Sequence, residues 1–214
     1  MSRRDELAAN LAEVQSRITN PATTLIVVTK TYPVSDVQIL HDLGVRDFGE
    51  NRNEEGLQKS ALVSARWHYQ GEVQSRKLRD ISSWADVIHS LDSASHIAKL
   101  SSVAPSSIDI FLQLSLDGDP ARGGVIASEL PALAELALSL PHINLLGLMC
   151  VPPVATEPHQ AFKEIAAIHR SFIARFPQAT SLSAGMSGDF EIAIDCGATH
   201  IRVGSSILGP RTAR

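Results

Sequence analysis

Short apolar runs, each closed by glycine, proline or a polar cluster, alternate along the chain with longer stretches whose apolar residues recur at helical spacing. Leu7, Leu11, Val14 and Ile18 predict an amphipathic helix over residues 1–19 that stops before Asn20-Pro21. The run that follows, residues 24–30, is nearly continuously apolar until it ends in Lys30, as expected of a strand buried on both faces. Further strands are expected at 45–48, 67–70, 86–91, 108–115, 143–149, 180–183 and 200–204. Between them, helices are expected on the stripe Val34, Val37 and Leu40, over 53–63, 75–82 and 93–100, and on the face from Ile126 through Leu130 and Leu133 to Leu140. Two more follow, one from Phe162 to Phe176 and one over 187–196 with Gly197 as its C-cap. Strands alternating with helices at such intervals run parallel and are joined by right-handed crossovers. Eight such units predict an α/β fold, a single (β/α)8 TIM barrel with an extra N-terminal helix, with the doubly wound open sheet as the alternative. No linker or change of composition divides the chain, so residues 1–214 are read as one domain.

Composition narrows the function. A net charge of −4 offers no footprint for nucleic acid, and Arg76-Lys77 with Arg79 reads as a solvated helix face. Two cysteines, Cys150 and Cys196, make no disulfide framework, and no segment resembles a signal peptide or a membrane span. A cytoplasmic protein with no membrane or nucleic-acid partner is expected. No histidine or cysteine pair has a metal-ligand spacing, so no metal is expected. No apolar stripe is left over for a partner copy, which makes a monomer the default.

In a barrel, the loops after the strands build the site. Lys30, Asn51, Gly71, Met149, Ser183, Arg202, Gly204 and Ser205 all fall at or just beyond expected strand ends. An ammonium at the mouth of an apolar strand is partly desolvated, which favours the amine form that condenses with a carbonyl; the plainer reading is a lysine reaching to solvent. The loops Ser183-Ala184-Gly185-Met186-Ser187 and Arg202-Val203-Gly204-Ser205-Ser206 end adjacent strands, where barrels hold phosphate. Together these features suggest a phosphorylated carbonyl ligand, either pyridoxal 5′-phosphate (PLP) or a sugar phosphate held by a class I aldolase. His68 and His200 are expected to pack on strands, and Arg122 beside Gly123-Gly124 to be a mobile loop residue.

The stretches VVTKTYP, LGVRDFGENRNEE, RWHYQGEVQSRK, LLGLMCVPP and LSAGMSGDFEIAIDCGATHIRVGSSILGPR closely resemble, in order and over nearly the whole chain, the pyridoxal-phosphate homeostasis proteins of the YggS/PROSC type. That resemblance implies a barrel similar to the N-terminal domain of alanine racemase, with PLP held as a covalent aldimine on Lys30. It also implies a role in intracellular PLP (vitamin B6) homeostasis without established catalysis. By the same resemblance Ser183, Gly204 and Ser205 form the phosphate cradle, with Met186 and Ser187 on the same loop. Arg202 faces the pyridine nitrogen, and Asn51 and Met149 line the ring. An arginine there disfavours protonation of that nitrogen and weakens the cofactor as an electron sink. The chain departs from the family pattern at Gln70, where an aliphatic residue is common, and at Arg76, where asparagine is common. The enzyme alternative is an amino-acid racemase, which needs a second acid/base on the opposite ring face. In alanine racemase a separate C-terminal domain supplies it; none is read before Arg214, and Tyr32 is not expected to reach, so no catalytic residue is assigned. A third reading is a carrier that delivers PLP to apoenzymes.

Overall fold

The computed structural model describes residues 2–210; Met1 and residues 211–214, including the Arg211 that ends the last quoted stretch, lie outside the described residues. Among the described residues eight parallel strands close a barrel in chain order. They are β1 (Thr24–Val28), β2 (Asp47–Glu50), β3 (Arg66–Tyr69), β4 (Val87–Leu91), β5 (Ile108–Leu114), β6 (Ile143–Cys150), β7 (Ser181–Met186) and β8 (His200–Val203). Closure is made by β1, which pairs Val27 with Phe48 on one side and Ile26 with Arg202 on the other. The helices are α1 (Arg3–Ser16), α2 (Val34–Asp42), α3 (Asn53–Ser60), α4 (Leu78–Ile81), α5 (Ala94–Val103), α6 (Leu130–Ser139), α7 (Pro158–Arg175), α8 (Phe190–Asp195) and α9 (Ser205–Leu208).

Helix α1 begins with a reciprocal capping box between Ser2 and Asp5 and ends at Ser16, short of the expected 19. Its buried Leu7, Leu11 and Val14 face the wall, and Arg3 ties it to Asp36 of α2 (2.7 Å) and to the Leu208 carbonyl (2.9 Å). The expected helix over 75–82 is a 3-10 turn (Ser75–Lys77) followed by α4. Ile126 is 45% exposed and precedes α6 instead of lying on its buried face. The expected helix over 187–196 forms only from Phe190, because Met186 to Asp189 close a turn in which Asp189 Oδ1 accepts from the Met186 N–H (2.6 Å).

Most apolar side chains pack between the strands and the helix layer, where Phe48, Trp67 and Trp84 form one aromatic cluster. A second, smaller cluster of Val87, Phe111 and Met149 is separate from it. TIM barrels ordinarily fill their interior with layers of branched aliphatics. Here the strands also turn buried His68, His89, Ser183 and Arg202 toward one another, with the His89 ring stacked on Phe111 at 4.5 Å. His68 and His200 are packed on strands as expected from the sequence.

Candidate functional site

Strand β1 ends at Val28, two residues earlier than expected, so Lys30 rides on the turn leading toward α2 and is half-buried. That turn is pinned on both sides of the lysine. Thr29 is fully buried; its hydroxyl donates to Glu50 Oε1 (2.6 Å), and Lys59 Nζ donates to the same oxygen (2.6 Å) and to the Thr29 carbonyl (2.8 Å). Burial outweighs the attraction of Lys59 and pushes the Glu50 carboxyl up. Thr31 has φ +72°, rare for a β-branched residue, and its N–H donates to Glu55 Oε2 (2.7 Å). Strain of this kind persists only where its surroundings over-determine it, and here it fixes the backbone that carries Lys30.

A cavity of about 280 Å³ opens at the mouth of the barrel, at the C-terminal ends of the strands. Lys30, Asn51, Met149, Met186, Ser187, Arg202, Gly204 and Ser205 share its wall, together with Val28, Tyr32, Gln70, Val151 and Gly188. The residues expected from the sequence to bind the cofactor are therefore gathered there except Ser183, and Gly71, also expected at a strand end, is not on the wall. That serine has no exposed surface and lies in the barrel interior, where it accepts from Arg202 Nη1 (2.7 Å) and meets His89 Nδ1 (2.9 Å). The sequence placed it at the end of a strand, but β7 runs three residues further, to Met186.

One side of the cavity suits an anion. The N–H groups of Gly204 and Ser206 both aim at Ser187 Oγ, at 3.3 and 3.4 Å. Bonds of that length are weak, so a phosphate oxygen would be a stronger acceptor for the same donors. A Cβ on Gly204 would stand 3.0 Å from the Val28 carbonyl, so glycine lets the backbone approach closely. On the floor, Arg202 is 5% exposed and also donates through Nη2 to the Cys150 carbonyl (3.0 Å). Burial lowers its pKa to about 10, which leaves it a cation at neutral pH. Among the described residues the wall carries no Asp, Glu, His or Cys, so its charges are the cations Lys30 and Arg202.

The cavity wall also holds two buried polar atoms without a partner among the described residues, Asn51 Oδ1 and Gln70 Nε2. Orphaned groups of this kind are rare in folded proteins and point to a missing ligand or water. An amine, a guanidinium, converging N–H groups and two unmatched amide atoms fit an aromatic phosphate with an aldehyde and ring polar groups, which is what PLP is. Sequence reasoning did not place Gln70, Tyr32, Val151 or Gly188 on this wall; the departure of Gln70 from the family pattern was the one available signal.

A wider cavity of about 800 Å³ adjoins the first across Gln70, Met149 and Val151. Arg122, expected to be mobile, is fastened there, donating through Nη2 to the carbonyls of Val151 (2.7 Å) and Pro152 (2.8 Å). Among the described residues no group of three or more His, Cys, Asp or Glu is gathered to hold a metal, and no helix is long and apolar enough to cross a membrane.

Comparison with known proteins bears on this geometry. The family model for the alanine racemase N-terminal domain matches residues 3–212. The pyridoxal phosphate homeostasis protein of Corynebacterium glutamicum is 39% identical over 198 residues, covering 87% of this chain and 90% of the relative. The structure of PipY from Synechococcus elongatus PCC7942 with PLP bound superposes with a TM-score of 0.87 at 31% identity, covering 95% of this chain and 100% of that one. Alanine racemase from Clostridium difficile 630 shares the fold, with a TM-score of 0.79 at 15% identity, and this chain covers 58% of it. On a barrel of the alanine racemase N-terminal type, the chain belongs to the pyridoxal phosphate homeostasis protein family.

Proposed function

We propose that this protein binds PLP in the cavity at the barrel mouth, with Lys30 as the covalent attachment point, and acts in intracellular PLP homeostasis rather than in turnover of a substrate. The observation that carries this reading is the single wall shared by Lys30, Arg202, Ser187, Gly204 and Ser205. It is supported by the relatives' name as homeostasis proteins and by the PLP-bound PipY structure. Bound PLP supplies an electrophilic carbonyl and an electron-withdrawing ring. The residues of this chain hold and orient it: Lys30 through its side-chain nitrogen, the Gly204–Ser206 turn and Ser187 at the phosphate, and Asn51, Gln70 and Met149 beside the ring.

Arg202 is the group expected to face the ring nitrogen. A guanidinium can donate a hydrogen bond there but gives up its proton far less readily than a carboxylic acid would, which keeps the ring a weak electron sink. A racemase also needs a second acid/base, and the one candidate on the described wall, Tyr32, already donates its hydroxyl to the Gly209 carbonyl (2.6 Å). Both features favour a carrier or buffer over an enzyme, and we extend this reading to a cytoplasmic monomer that exchanges PLP with apoenzymes. Incubation with PLP is expected to give a yellow protein with a defined absorption band, and D- and L-amino acids are expected to show no racemisation or transamination above the level of free PLP. Robust turnover of an amino acid would replace this reading with the enzymatic one.

A further inference from the structure

The Arg202 guanidinium is buried, yet among the described residues no carboxylate lies within ion-pair distance of it. A buried cation without a contact counter-charge is costly, and Asp189 acts on it only from a distance, so further compensation has to come from elsewhere. A row of hydrogen bonds leads away from it through the barrel interior. Arg202 Nη1 is 2.7 Å from Ser183 Oγ; that oxygen is 2.9 Å from His89 Nδ1; His89 Nε2 is 2.8 Å from His68 Nδ1; and His68 Nε2 is 3.0 Å from Asp47 Oδ1. Asp47 opens β2, at the opposite end of the barrel from the cavity, and its side chain is 23% exposed.

We infer that this row is a one-way chain of donors running from Arg202 to the Asp47 carboxylate, and that Ser183, His89 and His68 are positioning residues that fix the orientation and charge of Arg202 at the cavity floor. Both ends dictate the same direction. A guanidinium has donors and no acceptor, so Ser183 Oγ accepts from it, and the only acceptor among the described residues for the hydroxyl hydrogen is His89 Nδ1. An ionised carboxylate only accepts, so His68 Nε2 carries the hydrogen donated to Asp47. If both imidazoles are neutral, His68 Nδ1 must accept, and His89 Nε2 carries the hydrogen between the rings. Neutrality follows from the surroundings. Burial is the largest influence against a charge on His89, and the positive charges of Arg202 and Arg66 act in the same direction. For His68, burial outweighs the attraction of Asp47.

In this arrangement every dipole of the chain turns its negative end toward the guanidinium, and the last member is a full negative charge. The cation is stabilised by an ordered row rather than by a contact ion pair, and Nη2 on the Cys150 carbonyl (3.0 Å) prevents the group from turning. The consequence for the cofactor rests on the reading of Arg202 as the group beside its ring nitrogen; the chain itself is a property of the protein without ligand.

The test is a long-range proton–nitrogen correlation spectrum of protein labelled with nitrogen-15 in its histidines, recorded without ligand. His68 and His89 are expected to be neutral with the hydrogen on Nε2 at pH 7.5, and to remain so at pH 5.5. A hydrogen on Nδ1 of either ring, or a cationic ring at pH 7.5, overturns the chain. For the positioning role, Ser183→Ala loaded with PLP is expected to shift the cofactor's absorption band relative to the parent protein, with Ser183→Thr restoring it. His68→Gln gives the same readout should Ser183→Ala not fold, and an unshifted band in the variant that folds overturns the role. A protein that shows the expected histidine spectrum and takes up no PLP would refute the PLP reading and leave the chain standing.

Discussion

Lys30 owes its position to its neighbours more than to its strand. It sits between buried Thr29 and strained Thr31, each held by a carboxylate of the segment that follows β2 or ends it, Glu50 and Glu55. Because its own side chain is half-buried on a turn and fills no core space, Lys30→Ala is expected to abolish covalent PLP attachment while shifting the urea midpoint little. A variant that loses its cooperative unfolding transition would show that the lysine is structural. Gln70 makes the opposite case. Its buried Nε2 has no partner among the described residues, and a Cβ on Gly49 would come within 2.7 Å of it, so Gly49 makes the room that the amide uses. Replacing an unsatisfied buried amide by an apolar side chain of similar size recovers about 1 kcal/mol. Gln70→Leu is therefore expected to raise the stability of the ligand-free protein by about that amount, and to weaken PLP binding severalfold if the amide is matched by the cofactor. Urea melts and an absorbance titration measure the two effects, and a variant less stable than the parent would contradict the first.

At the scale of elements, the brace that joins β1, β2 and α3 is the Lys59–Glu50 pair, with side chains 7% and 0% exposed. Removing one partner of a buried pair costs about 3–5 kcal/mol, because the other is left buried and charged. Lys59→Met is expected near the low end, since the Glu50 carboxyl, already pushed up by burial, can take a proton instead. The double variant Lys59→Met with Glu50→Leu should recover most of the loss in urea melts; a double variant as unstable as the single one would argue against the pair as the brace. In the turn between β8 and α9, Gly204→Ala brings a methyl to 3.0 Å from the Val28 carbonyl. Its cost should fall on phosphate binding, weakening PLP by roughly tenfold, about 1.4 kcal/mol, while leaving pyridoxal almost unchanged. Equal losses for both ligands would remove the turn from the phosphate site. The strands were legible in the sequence because parallel strands covered on both faces read as apolar runs. Helix α9 was not, being a single turn of Ser-Ser-Ile-Leu with no period to detect. Ser183 was misplaced for a related reason: the small residues Ala184 and Gly185 after it read as a loop although the strand continues through them, and alternation turns Ser183 inward from mid-strand.

For the whole molecule, the separation into an apolar outer core and a partly polar interior has a thermodynamic signature. Burial holds His68, His89, His169 and His200 below the ordinary histidine value, His200 down to about 4. The unfolded chain takes up protons on these residues near pH ~6.5 while the folded chain does not, so stability falls as pH drops below that point. Each histidine contributes up to about 1.4 kcal/mol per pH unit in the window between its folded and unfolded values. Glu50 acts in the opposite sense, since its raised folded value favours the native state as pH falls, but it is one group against four. The urea midpoint is therefore expected to be lower at pH 5.5 than at pH 7.5, and an equal or higher midpoint would contradict a neutral histidine interior. The barrel and most of its cavity wall were readable from strand order, because loops after successive strands meet at one mouth whatever their separation in sequence. The interior row from Arg202 to Asp47 was not, because it depends on which strand faces meet inside the barrel. The claim on which the functional reading turns is the covalent role of Lys30, tested by borohydride reduction of the PLP-loaded protein followed by peptide mass mapping. One reduced pyridoxyl phosphate group on the peptide carrying Lys30, absent from Lys30→Ala, is the expected result; a group spread over surface lysines, or equal labelling of the variant, would contradict it.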